Sequence, residues 1–166
     1  MTKTWIDPTR YSAGLPKVTV FATLVFTDPE DRLLQLHSVN ENRLQRWQLP
    51  GGNHDDPTES PWQVAVRETE EETGIRFAGP PLLLGVQWIP PRPYWPFAHQ
   101  GFFFHGGRLT PHQMEGIRLD PDEHTHWQVR TLADWRPDIP DEQFEQLSLL
   151  LAARPGTPAY VETPAT

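Results

Sequence analysis

The sequence predicts an α/β fold on two observations: β-rich runs stand both before and after one well-capped central helix, and a second amphipathic helix lies near the end. Residues 18–27 (VTVFATLVFT) are dominated by β-branched and aromatic side chains, which suit a pleated, half-buried surface. Asp28-Pro29-Glu30-Asp31 carries turn chemistry, and residues 32–38 read as a second strand, so the first two runs form a hairpin. Residues 40–46 are polar and read as a loop, after which Trp47-Gln48-Leu49 is a short strand feeding the turn Pro50-Gly51-Gly52.

The central helix carries its own boundaries. Ser60, Pro61 and Gln63 supply an N-cap, a proline at the first helical position and a capping-box partner, while Gly74 after Thr73 supplies the left-handed residue that ends a helix. Trp62, Ala65, Val66 and Thr69 recur at helical spacing and form the expected core stripe. Beside that stripe stand Glu68, Glu71 and Glu72, at i, i+3 and i+4. Three carboxylates so close repel one another unless a cation neutralises them, and Mg2+, which takes oxygen ligands and keeps several waters, suits the cluster. Arg67, four residues before Glu71, is placed to pair with it and fix its orientation.

After the helix, residues 82–89 read as a strand that pairs with residues 101–105 across the proline-rich segment 90–96. Residues 127–129 read as a short strand, and residues 141–154 as a helix with Phe144, Leu147, Leu150 and Leu151 on one side. Residues 1–154 are expected to form one domain, and residues 155–166 a C-terminal tail of turn and extended composition, free to move.

Composition narrows the function. The formal charge of -8, with no stripe rich in lysine or arginine, disfavours long nucleic acids. A small phosphate-bearing ligand remains compatible, because a bound cation inverts the local field. No cysteine is present, which excludes disulfides, thiolate ligands and a cysteine nucleophile. Neither a run of eighteen apolar residues nor a basic-then-apolar leader is visible, giving the expectation of a cytoplasmic protein without a membrane partner.

The stretch from Gly52 to Ile75 resembles the Nudix box, G-x5-E-x7-R-E-U-x-E-E-x-G-U, where U is a bulky aliphatic residue. Arg67-Glu68-Thr69-Glu70-Glu71-Glu72-Thr73-Gly74-Ile75 fills the second half, and Glu59 lies at the required distance before Arg67. Two positions depart from the pattern: six residues instead of five separate Gly52 from Glu59, and Thr69 stands where the aliphatic residue belongs. The extra loop residue spares the helical ligands, and Thr69 keeps a methyl group for the core.

The resemblance implies an α/β/α sandwich with a central mixed sheet and a pyrophosphohydrolase that cleaves a nucleoside diphosphate linked to another group. It implies Mg2+ as cofactor, with Mn2+ able to substitute, and Glu68, Glu71 and Glu72 as the metal-ligating set. Glu68 and Glu72 are the foremost ligands, and Glu71 is either a further ligand or the base that orients water. Arg67 joins Glu68 and Glu71 in the catalytic set. Family members often add an acid from a loop beyond the box, and Glu123 is the best-placed candidate.

For the substrate, the expected contacts are backbone N–H groups at Gly51 and Gly52, where no side chain blocks a phosphate, and Arg92, Tyr94, Trp95 and Phe97 in the proline-rich loop. His124 and His126 alternate as in a strand, but no third ligand has recognisable spacing, and both read as loop histidines, as does His54 beside the glycine turn. The expected partner is a small nucleotide, and a homodimer is compatible with this reading. The alternative function is a Nudix-fold binding or regulatory module that senses a nucleotide without cleaving it. Retention of all three glutamates with Arg67 favours catalysis, and isomerisation of a prenyl diphosphate would need the cysteine that is missing.

Overall fold

A computed structural model describes residues 5–154 and 156–164; residues 1–4, 155, 165 and 166 of the expected domain and tail lie outside the described residues. In chain order the elements are α1 (Pro8–Ala13), β1 (Val18–Thr27), β2 (Leu33–Ser38), β3 (Trp47–Gln48), β4 (Gly51–Asn53), α2 (Pro61–Thr73), β5 (Leu83–Ile89), β6 (Ala98–Arg108), α3 (Pro111–Glu115), β7 (His124–Arg130), α4 (Leu132–Trp135), α5 (Asp141–Ala152) and β8 (Ala159–Glu162). One mixed sheet runs β3-β2-β1-β6-β5-β8, with β4 paired to β1 and β7 paired to β2. The pairing β1–β6 is parallel and β5–β6 antiparallel, so the expected central mixed sheet is present.

Alternation along β1 builds two cores from one strand. Ala22, Leu24 and Phe26 pack on the face that holds Val64 and Ala65 of α2, while Val25 packs on the opposite face with Leu147 and Leu150 of α5. The sheet is thus covered on both faces, as a hydrophobic sheet requires. Helix α2 starts and stops as its sequence predicts: Ser60 accepts from the Gln63 N–H, the Gln63 side chain accepts from the Ser60 N–H, and Gly74 takes φ 73°.

Two expectations change. The segment beyond residue 154 was expected as a free tail, yet Ala159–Glu162 adds β8 in parallel to β5, and the Thr163 hydroxyl accepts from the buried Gln87 amide at 2.9 Å. Four residues pairing with an edge strand give no periodic signal of their own, so sequence alone missed them. The core stripe of α2 is also rotated, since Val64, Ala65, Thr69, Glu72 and Thr73 are buried while Trp62 and Val66 are only partly so. Glu72 therefore lies on the inward side of its helix.

A cleft built on the glycine turn and the acidic helix

The glycine turn holds the first carboxylate in place. In the antiparallel ladder between β1 and β4, the Leu24 N–H bonds to Pro50 O and the His54 N–H to Val20 O, so the intervening Gly51 N–H faces away from β1. It donates to Glu72 Oε2 at 2.8 Å. Gly51 has φ 144°, and a Cβ there would stand 2.2 Å from Ala22 O. Gly52 is excluded from carrying a side chain for a different reason: its Cβ would lie 2.4 Å from the Glu68 carboxyl carbon. The two glycines thus seat two carboxylates of α2. Gly51, expected to offer its N–H to phosphate, spends that donor on Glu72.

Arg67 organises the acids around it. Its Nε donates to Glu59 Oε1 at 3.0 Å, Nη2 to Glu59 Oε2 at 3.0 Å, and Nη1 to Glu68 Oε1 at 2.7 Å and Glu71 Oε2 at 3.0 Å. These bonds raise the guanidinium above its ordinary pKa, Glu59 contributing most. Arg67 thus bonds to three acids at once. The expected pairing of Arg67 with Glu71 is present, and it draws Glu71 to the outer side of the helix, where its side chain is 58% exposed. Successive helical residues diverge by roughly 100°. Glu71 and Glu72 therefore leave the helix in more widely separated directions than Glu68 and Glu72 do.

The cleft has a volume of about 370 Å³ and is lined by Glu68, Glu72, Glu123, His124, Arg43 and Gly52 among others; Glu71 is not among its walls. Glu123 and His124 arrive there because the segment before β7 hangs on the last turn of α2. Arg118 N–H bonds to Thr73 O and Asp120 N–H to Glu72 O. A β-bulge follows, since Ser38 pairs with His124 and His37 with His126, leaving Thr125 as the extra residue. Such bulges re-aim side chains. His124 turns inward and is buried, whereas His126 stays exposed and stacks on His37 at 4.6 Å. The reading of His124 as a loop histidine is therefore corrected: the bulge that buries it has no sequence signature.

Arg43 was also missed. It sits in the polar loop before β3, and only the tertiary fold turns that loop over the cleft. His54, by contrast, bonds through Nε2 to Glu59 O at 2.7 Å and closes the loop before α2.

Burial sets the protonation of the site. It pushes the Glu72 carboxyl up to about 8, against the pull of the Gly51 N–H and with the push of Glu123 and Glu68. Glu68 is raised in the same way. The His124 imidazole is pushed down to about 4, by burial first and then by Arg43, and is neutral at pH 7.

A divalent cation fits these residues. One ligand atom each from Glu72, Glu123 and His124 lie within 4.8 Å of one another, and the His124 Nδ1 is buried without a hydrogen-bond partner among the described residues. Carboxylates of raised pKa are groups whose charge is disfavoured until a cation arrives.

The four residues expected in the proline-rich loop do not line this cleft. Arg92 N–H bonds to Trp95 O at 2.8 Å and Trp95 N–H to Arg92 O at 3.0 Å, forming a tight turn between β5 and β6. The Arg92 side chain reaches Glu142 of α5 at 3.6 Å, Trp95 Nε1 donates to Thr19 Oγ1 at 2.9 Å, and Phe97 lies beside Lys17. Tyr94 is exposed. Apart from Tyr94, these side chains hold the loop against the start of β1 and α5.

Fold and cleft together define the class of protein: an α/β/α sandwich with an acidic cleft between a glycine turn and the helix that follows it. The chain belongs to the NUDIX domain family, whose profile matches residues 16–150. No curated protein matches the sequence. Among solved structures, the MutT protein from Methanosarcina mazei Go1 is similar with 21% identity and a TM-score of 0.61, over 80% of this chain and 96% of that one. A C. elegans Ap4A hydrolase has 23% identity and a TM-score of 0.59, over 81% and 96%. A UDP-X diphosphatase has 19% identity and a TM-score of 0.66, over 95% and 76%. At these identities the likeness is one of fold. No helix among the described residues is long and apolar enough to cross a membrane.

Proposed function

We propose that the chain is a pyrophosphohydrolase dependent on a divalent cation, Mg2+ or Mn2+ in its place, that cleaves the diphosphate linkage of a nucleoside diphosphate joined to another group. The observation that carries this reading is the convergence of Glu68, Glu72 and Glu123 on one open cleft that also presents Arg43. Two of the structural neighbours, the Ap4A hydrolase and the UDP-X diphosphatase, are named for substrates of this class.

When bound, the cation neutralises phosphate oxygens and lowers the pKa of water in the cleft. The chain's own groups do the rest. Glu68 and Glu72 hold the cation, the first oriented by Arg67 and the second by the Gly51 N–H. Arg43, across the cleft, binds a phosphate oxygen and offsets charge as the leaving phosphate forms. Glu123, exposed to solvent, accepts the proton of the attacking water. Glu71, held outward by Arg67, stays outside this set and supports Arg67 itself.

The test is chromatographic product analysis after incubation with Mg2+ and a panel of nucleoside triphosphates, ADP-ribose, NADH, nucleotide sugars and dinucleoside polyphosphates, beside a Glu72→Gln control. Turnover of one compound, lost in the control, is the expected result. No turnover across the panel, with nucleotide still bound, would replace the hydrolase by the binding module.

A further inference from the structure

The cleft contains one inward-facing donor that is not an oxygen. The His124 side chain is 2% exposed, and its Nε2 stands 3.8 Å from Glu72 Oε1. That is too long for a hydrogen bond, which spans about 2.7–3.2 Å. Its Nδ1 is buried without a partner among the described residues. A ring nitrogen buried without a partner is destabilising, so packing alone does not favour this placement of the ring. The placement is nevertheless specific, because it is made by the bulge at Thr125 and by the bond from His124 N–H to Asp120 O at 2.9 Å.

We propose that His124 is a nitrogen ligand of the metal centre, and that it biases the centre toward a divalent cation of the transition series such as Mn2+ over Mg2+. The inference rests on the metal-dependent reading above and specifies which ion that reading takes. Two ligands about 2.1 Å from a shared ion stand roughly 3 to 3.5 Å apart. The Nε2 to Oε1 separation of 3.8 Å closes to that range with a shift of a few tenths of an ångström. The exposed Glu123 is the third member of the group and stands beside the ion, where its carboxylate serves as the base.

Charge supports a cation at this place: Glu68, Glu72, Glu123, Asp55 and Asp122 face Arg43 across the same cleft. Ligand type then decides which cation. Mg2+ prefers oxygen ligands and water, whereas imidazole nitrogen suits ions of the transition series, and Mn2+ accepts both. A mixed set of carboxylates and one imidazole therefore favours Mn2+ more than an all-carboxylate set of the same charge does.

The experiment uses the full chain and Mn2+ itself as the probe. Pulsed electron paramagnetic resonance of the Mn2+-loaded protein should show a directly coordinated 14N nucleus, converted to 15N when the histidines are labelled, and the signal should vanish in His124→Asn. In the same variant, the preference for Mn2+ over Mg2+, read by competition, should fall about tenfold or more. The signal in the unaltered protein needs no variant to fold, and circular dichroism checks the variant. Mn2+ bound with oxygen ligands alone, or a nitrogen signal that survives in His124→Asn, would overturn this inference and leave the hydrolase reading intact. Failure of Mn2+ to bind at all would overturn this inference, and the hydrolase reading falls only if Mg2+ with the nucleotide panel also gives no turnover.

Discussion

The backbone N–H of Gly51 donates to the Glu72 carboxylate across 2.8 Å, joining two residues 21 positions apart in the chain. It ties the glycine turn to the C-terminal end of α2, so the strand that delivers the turn also fixes the carboxylate. The Pro50-Gly51-Gly52 sequence is thus part of the proposed metal site without contributing a ligand.

Gly51→Ala should be among the most damaging substitutions on the surface of the cleft. The residue combines φ 144° with a 2.2 Å approach of the missing Cβ to Ala22 O. Strain of this kind costs about 1–3 kcal/mol before the clash is added. We expect a loss of about 3 kcal/mol or more in urea unfolding. A variant of unchanged stability would mean that the turn adapts and does not hold Glu72.

Metal binding near pH 7 should release about one proton, because the Glu72 carboxyl, at about 8, is mostly protonated before the ion binds. Calorimetry in buffers of different ionisation enthalpy reads the number directly. Affinity should rise with pH up to about 8 and level off above it. A pH-independent affinity would show that Glu72 is already ionised.

The same shift governs the metal-free fold. A carboxyl raised from its ordinary value near 4.5 to about 8 favours the folded state while protonated. Its contribution is full below about 4.5 and is lost as pH rises through 8. Glu72→Gln should remove that decline, leaving the metal-free variant more stable than the unaltered chain at pH 9 by a few kcal/mol. It should also abolish the increase in Tm that saturating Mg2+ or Mn2+ gives the unaltered chain.

Arg43→Ala should leave stability within about 0.5 kcal/mol, since the side chain is exposed. Loss of a phosphate contact should still lower kcat/KM by about 10- to 100-fold. Equal kinetics with and without Arg43 would remove it from the substrate.

Arg67→Lys should keep the charge and lose the fork that joins Glu59, Glu68 and Glu71. Metal affinity should drop about tenfold or more as Glu68 loses its fixed orientation. Titration of Mn2+ into the variant checks this without reference to turnover.

The sequence by itself determined the class of fold, most of the strands, both long helices, the caps of the first, and the spacing of Glu68, Glu71 and Glu72 along it. These are local properties: a capping box, a glycine at the end of a helix and a three-to-four-residue carboxylate spacing are each written within one or two turns of chain. Tertiary structure decided which of three neighbouring glutamates faces inward, because that depends on which stripe of α2 meets the sheet. It also decided that Gly51 serves Glu72, that Arg43 closes over the cleft and that residues 159–162 join the sheet. His124 shows the difference most plainly. Its chemistry was visible in the sequence, but a one-residue bulge opposite β2 determines whether the ring meets water or Glu72, and that pairing exists only once the strands have met.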